Sequence, residues 1–179
     1  MKIVSEHISD KKLVLEMKSW RNHFKGEEVK DLIAIAINRT ICETNTRLKG
    51  YFISDERIYF VLHVLTEKKI IFINHFLNEL HKVLVRHAVL NDELDFYFKE
   101  RDLYNNVKQL FEYHDFFDVR LYHLLIGEKV KECYDDPVVE EMTDYLATYK
   151  YSSYRNYKGE KGPVIFPVSK RQVRRKSNY

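Results

Sequence analysis

The chain has 179 residues, of which 45% are hydrophobic and 32% charged, which is enough for one compact domain with its own core. Its five glycines and three prolines leave no low-complexity stretch, and its longest apolar run, residues 32–37, is far shorter than the roughly 18 residues of a membrane helix. The N-terminus lacks an apolar core of signal-peptide length, and Cys42 and Cys133 form no CxxC motif. We therefore expect an unsecreted, cytoplasmic protein with no membrane partner, disulfide framework or cysteine zinc site.

The net charge of +3 is unevenly distributed along the chain. Residues 150–179 contain nine Lys and Arg and a single acid, Glu160, so this segment carries +8 and residues 1–149 carry −5. The most basic stretch is KRQVRRK, residues 170–176. Such tails bind phosphate backbones without reading sequence, although a basic terminus can equally serve only solubility.

Hydrophobic periodicity predicts the elements of the first half of the chain. Residues 11–20 alternate as a strand, and residues 27–44 carry apolar side chains at helical spacing. Residues 47–53 and 57–65 are two strand-like runs joined by a short loop, as in a hairpin. A second helix is predicted at residues 70–90, again from the spacing of its apolar residues.

The second half of the chain has a less regular pattern. Alternation predicts strands at residues 94–99 and 117–122, and helical spacing predicts helices at 101–113, 128–135 and 140–149.

The order strand, helix, strand, strand, helix and then strand-like segments is the split βαβ pattern of a ferredoxin-like domain. We predict an α+β fold over residues 1–159, with an antiparallel sheet, helices on one face and a C-terminal helical or extended segment. Residues 160–179 are predicted to form a flexible basic tail. This fold hosts many functions and assigns none by itself.

A composite motif near the C-terminus carries the most specific signal. The sequence DPV at residues 136–138 is followed, fifteen positions after the proline, by SSYRNY and then a glycine, within YKYSSYRNYKG at residues 149–159. This resembles the REP-associated tyrosine transposases, a branch of the HUH single-strand DNA transposases. In that family Asn-Pro-Val precedes Tyr-x-Tyr/Trp-Ser-Ser-x-Arg-x-Tyr and a glycine, and the predicted strand order also fits.

The resemblance implies a metal-dependent reaction, and it assigns each residue of that reaction to a position in this sequence. In the family, a His-hydrophobic-His pair and a polar residue hold Mg²⁺ or Mn²⁺, and a tyrosine attacks the phosphorus to form a 5′-phosphotyrosine link. The two histidine positions here are Arg57 and Tyr59, the nucleophile position is Glu132, and the polar ligand is Asp136. A guanidinium cannot ligate a cation, so Asp136 remains as one weak metal ligand. We therefore expect no cofactor and no intact catalytic site, with Mg or Mn required only if the enzyme is active.

His63 does not restore the site. It lies on the same strand face as Tyr59, but about 13 Å further along at about 3.3 Å per residue. The C-terminal tyrosines, interleaved with cations, have two interpretations: they stack on bases of single-stranded nucleic acid, or they dock the C-terminal segment on the sheet. The set comprises Tyr145, Tyr149, Tyr151, Tyr154 and Tyr157.

Three functional hypotheses remain open at this point. The first, which we prefer, is a degenerate transposase-like protein that binds single-stranded or hairpin DNA, with a homodimer as a further expectation from the resemblance. The second is an active transposase with a displaced site, and the third is a protein-interaction or dimerisation module, favoured by the acidic body. The predicted phosphate contacts are Arg57, Arg155, Lys158, Lys170, Arg171, Arg174, Arg175 and Lys176.

Overall fold

A computed structural model describes residues 7–91, 110–130 and 136–166. The predicted strand 94–99, most of the predicted helices 101–113 and 128–135, the nucleophile position Glu132 and the segment 167–179 lie outside the described residues.

The first half of the chain forms the elements that its periodicity predicts, with small shifts at their ends. They are β1 (Ser9–Met17), a 3-10 helix (Ser19–His23), α1 (Gly26–Thr44), β2 (Leu48–Ile53), β3 (Arg57–Val64) and α2 (Thr66–Leu90). The described part of the second half contains β4 (Phe111–Asp115), α3 (Val119–Leu125), α4 (Pro137–Thr148) and α5 (Ser153–Tyr157).

The four strands form one antiparallel sheet in the order β2-β3-β1-β4. The central strand β1 pairs with β3 on one side, where Leu13 lies opposite Phe60, and with β4 on the other. Because β3 lies between β1 and β2, the α1 connection spans one inserted strand, which is the split βαβ arrangement. The fold is therefore α+β and ferredoxin-like, as predicted.

Helices α1 and α2 cover one face of the sheet. Alternate side chains of β1, such as Leu13 and Leu15, point into a core with Ile33 from α1 and with Phe72 and Phe76 from α2, and all five are fully buried. This layer follows directly from the sequence, since a strand period of two and a helix period of 3.6 each place one apolar face toward the other.

The C-terminal segment covers the opposite face of the sheet. Val14 of β1 and Val61 of β3 pack there against Leu124, Leu125 and Tyr154, which come from α3 and α5. Among the helices of the described residues, none combines the length and apolar composition needed to cross a membrane.

Two sequence predictions in this region are wrong. Residues 111–113, predicted as the end of a helix, begin β4, because Phe111 pairs with Met17 at the edge of the sheet. Residues 117–122, predicted as a strand, contain the start of α3, which Asp118 caps by accepting a hydrogen bond from the backbone N–H of Leu121. An alternation of six residues does not exclude a helix once a capping residue and a sheet surface are present.

The packed domain continues past the predicted boundary at residue 159. Val164 is only 2% exposed, and the backbone N–H of Ile165 donates to the side chain of Asn38 on α1 at 2.7 Å. Residues 160–166 are therefore part of the domain and not of the tail.

Candidate functional site

The sheet face that carries Arg57 and Tyr59 is lined with aromatic rings. Tyr59 is half-buried between Phe52, stacked on it with ring centroids 5.6 Å apart, and Phe116, in an edge contact at 5.5 Å. Arg57, two residues earlier and so on the same face, is exposed, and its Nε lies 3.0 Å from Oε1 of Glu16. The two positions where the resemblance implies histidines therefore hold a surface ion pair and an aromatic stack.

Helix α4 packs over the same face through further rings. Tyr145 meets Phe52 at 6.2 Å and stacks on Tyr149 at 5.0 Å, and Tyr149 in turn meets Phe52 at 5.6 Å. Contacts of this kind contribute about 0.5–1.5 kcal/mol per pair beyond the burial of their area. These ring contacts therefore stabilise the packing of α4 against the sheet.

Asp136 immediately precedes α4 and acts as its N-cap. Its Oδ1 accepts from the backbone N–H of Val138 at 3.0 Å, and its Oδ2 lies 2.9 Å from Nη1 of Arg120. Both carboxylate oxygens are engaged, and neither Arg57 nor the stacked phenol of Tyr59 offers a ready ligand. These residues do not fit a divalent cation. Within the described ranges, no three His, Cys, Asp or Glu side chains cluster as a metal site would require.

The two serines of the C-terminal motif are structural. Ser153 is fully buried, and its Oγ accepts from the backbone N–H of Tyr51 at 2.9 Å and donates to the carbonyl of Leu125 at 2.7 Å. The backbone N–H of Ile53 donates to the carbonyl of Tyr151 at 3.0 Å, so residues 151–153 pair with the edge strand β2. The motif therefore joins the C-terminal segment to the sheet.

The two motif cations predicted to contact phosphate differ in their surroundings. Arg155 is held by two contacts within the protein: its Nη2 lies 2.6 Å from Oε2 of Glu160, and its Nη1 donates to the carbonyl of Thr148 at 3.4 Å. Lys158 is exposed, with its Nζ 5.1 Å above the ring of Tyr154. Lys158 is the better placed of the two for a ligand. The other five predicted contacts, Lys170, Arg171, Arg174, Arg175 and Lys176, lie outside the described residues.

The tyrosines of the motif are used mainly for docking. Tyr151 and Tyr154 are buried, and the hydroxyl of Tyr157 donates to the carbonyl of Lys49 at 2.7 Å. Burial raises the pKa of Tyr157 to about 12, so this hydroxyl remains a hydrogen-bond donor at neutral pH. Tyr145, which precedes the motif on α4, is 49% exposed although its ring contacts Phe52 and Tyr149.

A polar cluster around Asp10 was not predicted from the sequence. Oδ1 of Asp10 accepts from Nδ1 of His63 at 2.7 Å, while its Oδ2 accepts from Nζ of Lys49 at 2.6 Å and from the hydroxyl of Tyr122 at 2.7 Å. Burial acts to raise the pKa of Asp10, but the hydrogen bonds from Lys49, Tyr122 and His63 outweigh it and hold this pKa below its ordinary value. Asp10 and His63 are paired across β1 and β3, so only the strand register reveals the contact.

Comparisons with protein-family models, with curated proteins and with solved structures gave no match. Support for a function therefore comes from the motif in the sequence and from the geometry of the sheet face that carries Arg57 and Tyr59.

Proposed function

We propose that this protein is a DNA-binding relative of the REP-associated tyrosine transposases that binds single-stranded or hairpin DNA and does not transfer strands. The observation that carries the proposal is the face formed by Arg57 and Tyr59. The ferredoxin-like sheet and the Ser-Ser-x-Arg segment that docks on it are both present, while the histidine positions hold an ion-paired guanidinium and a ring inside an aromatic stack. A protein with this pattern has the scaffold of the family but lacks the histidines that would bind the metal ion.

The charge distribution supports nucleic acid as the partner. Residues 150–179 carry +8, and the exposed Lys158 lies at the end of the docked segment. Cations of this kind bind phosphates with release of counterions and without base readout. Arg57 supplies a further positive charge at the position where the family holds a metal ion, and we propose that it contacts a phosphate there.

Binding and chemistry can be measured in the same samples. The full-length protein is mixed with labelled hairpin DNA or unstructured single-stranded DNA, with and without Mg²⁺ or Mn²⁺, and the bound and covalent species are separated on native and denaturing gels. We expect salt-sensitive binding and no covalent adduct under either metal condition. A metal-dependent adduct would show an active transposase, and absence of binding at moderate salt would favour a protein-interaction module.

The contribution of Arg57 has its own test with a matched control. Arg57→Ala is expected to weaken DNA binding about threefold to tenfold, since an exposed phosphate contact contributes on the order of 1 kcal/mol. Arg39→Ala removes a comparably exposed guanidinium from α1, in the helical layer on the other face of the sheet, and should leave binding unchanged. Equal affinities for the wild type and Arg57→Ala would exclude Arg57 from the interface.

A further inference from the structure

Strand β4 forms an edge of the sheet whose outer side is open. In the described part of the chain, β4 pairs only with β1, and residues 112–115 are exposed. The opposite edge of the sheet, β2, is instead bonded to residues 151–153. An unpaired strand edge offers a row of backbone donors and acceptors with which another strand can pair.

The register with β1 shows which backbone groups of β4 face outward. The backbone N–H of Phe116 donates to the carbonyl of Lys12 at 3.4 Å. The backbone N–H of Lys18 donates to the carbonyl of Leu110 at 3.2 Å. Because residues that bond to the partner alternate along an antiparallel strand, the even-numbered residues of β4 bond to β1. The N–H and C=O groups of residues 111, 113 and 115 therefore point to the open side.

The features that commonly protect a strand edge are missing from β4. Its sequence, FEYHD, contains no proline or lysine, and its pairing with β1 runs without a bulge from residue 111 to residue 115. The two carboxylates of the strand are already paired within the chain. Glu112 lies 3.1 Å from Nζ of Lys18, and Asp115 lies 2.5 Å from Nζ of Lys69. These charges therefore oppose a second strand less than unpaired carboxylates would.

In one antiparallel register the sequence of β4 complements a second copy of itself. When Tyr113 lies opposite Tyr113 of the second copy, Glu112 lies opposite His114 of that copy, and every residue from 111 to 115 has a partner. A shift of two residues in either direction shortens the paired segment. In one direction it also places Glu112 opposite its own copy, and like charges directly opposite each other destabilise a strand pair. Length and charge therefore both favour the register centred on Tyr113.

Exposed apolar side chains lie on and next to this edge. Tyr113 is 52% exposed, and Phe117 and Val119, which follow β4 in the chain, are 80% and 58% exposed. Exposed apolar surface of this kind is typical of interaction sites. In the centred register the Cα atoms of the two Tyr113 residues are about 5.5 Å apart, so their rings can contact each other.

We propose that β4 pairs with β4 of a second copy of this chain, so that the two four-stranded sheets join into one in a homodimer. The twofold axis passes beside Tyr113, and the backbones of Phe111 and Asp115 bond to Asp115 and Phe111 of the other copy. The interface is small, so the dimer is weak and depends on concentration. The proposal does not depend on DNA binding, because both strands belong to this protein.

Sedimentation equilibrium of the full-length protein without DNA measures the association. We expect the average mass to rise from that of one chain toward that of two between about 5 and about 500 µM, as for weak dimers with a small interface. Tyr113→Pro removes an outward N–H without removing a hydrogen bond to β1, and should leave a monomer. The matched control, Tyr113→Val, loses the ring but keeps the N–H, and should still associate.

Two opposite charges at residue 114 test the register. His114→Glu places a carboxylate opposite Glu112 of the second copy and should weaken the dimer about threefold to tenfold, because this contact occurs twice about the axis. His114→Lys places an ammonium there and should strengthen the dimer by a similar factor. Since the chain carries a net charge of +3, general repulsion between copies would give the opposite order for the two variants.

Thermal unfolding of each variant verifies that it is folded, and the two His114 variants decide the matter if Tyr113→Pro does not fold. A wild type that remains a monomer at the highest concentration would overturn the proposal. A dimer that survives Tyr113→Pro, or the opposite order of the His114 variants, would also overturn it. These measurements contain no DNA, so their failure leaves the proposed function in place.

Discussion

Asp10 shows how one side chain joins elements that are far apart in sequence. It lies near the start of β1 and accepts hydrogen bonds from Lys49 of β2, His63 of β3 and Tyr122 of α3. Because an ionised carboxylate only accepts, the proton on the imidazole must lie on Nδ1, which orients the His63 ring. The carboxylate therefore connects the sheet to the C-terminal helical layer.

Asp10→Asn is expected to lower the free energy of unfolding by about 1–3 kcal/mol at pH 7, since it weakens charge-assisted hydrogen bonds at a mostly buried carboxylate. The pKa of Asp10 is depressed in the folded state, so its contribution is present above the unfolded pKa of about 4 and is lost as the pH falls through the folded value. Urea unfolding at pH 7 and pH 3 should show a large difference between wild type and variant that shrinks in acid.

The control for this measurement is Asp144→Asn on α4. It removes an exposed carboxylate and should change the free energy of unfolding by less than about 0.5 kcal/mol. A pH-independent effect of Asp10→Asn would show that the ionised form of Asp10 does not contribute to stability.

At the scale of elements, the edge strand β2 is completed by a segment about a hundred residues away. The backbone of Ile53 bonds to the carbonyl of Tyr151, and the hydroxyl of Ser153 satisfies the backbone N–H of Tyr51. An exposed strand edge is a site for unwanted pairing, and this segment covers part of it. The Ser-Ser pair is thus explained by the sheet edge, whatever the chemistry of the site.

Ser153→Ala leaves the buried N–H of Tyr51 and the carbonyl of Leu125 without this hydroxyl, and should lower the free energy of unfolding by about 1–3 kcal/mol. Thr148→Ala, which removes an exposed hydroxyl at the end of α4, is the matched control and should be nearly neutral. Both can be measured by chemical denaturation. Equal stability of Ser153→Ala and the wild type would mean that the buried groups find other partners.

At the scale of the whole molecule, an acidic body of −5 carries a C-terminal region of +8. This separation of charge favours an anionic partner, such as a nucleic-acid backbone, which would be attracted to the C-terminal region and repelled by the acidic body. It also makes the contribution of the basic segment, residues 167–179, measurable, because replacing the five cations of this segment leaves the composition of the described residues unchanged.

Replacing the five cations of the segment by Gln (Lys170, Arg171, Arg174, Arg175 and Lys176) should reduce the salt dependence of DNA binding. For single strands each phosphate contact adds about 0.7 to the slope of log K against log salt, so the slope should fall in magnitude by about 3 to 4. The control replaces the exposed Lys25 and Lys68 by Gln and should leave the slope unchanged. An unchanged slope in the five-residue variant would exclude the segment from phosphate binding.

The sequence by itself determined the first five main elements and their order, because periods of two and 3.6 residues are local properties of the chain. The strand predicted from alternation at residues 117–122 is wrong. Asp118 caps a helix that begins at residue 119, and the apolar side chains of this helix pack on the sheet. Residue type alone also shows that Arg57 cannot be a metal ligand, because a guanidinium has no lone pair to offer a cation.

Only the tertiary structure decided which side chains meet. The contact of Asp10 with His63 depends on the register between β1 and β3, and the position of residues 163–165 depends on the two hydrogen bonds that they form with Asn38 of α1. These contacts join residues from about fifty to more than a hundred positions apart, and no local pattern encodes a pairing at that separation. Buried donors and acceptors must be hydrogen-bonded, and in a close-packed interior each has few partners within reach. Which partner lies within reach depends on how the whole chain packs.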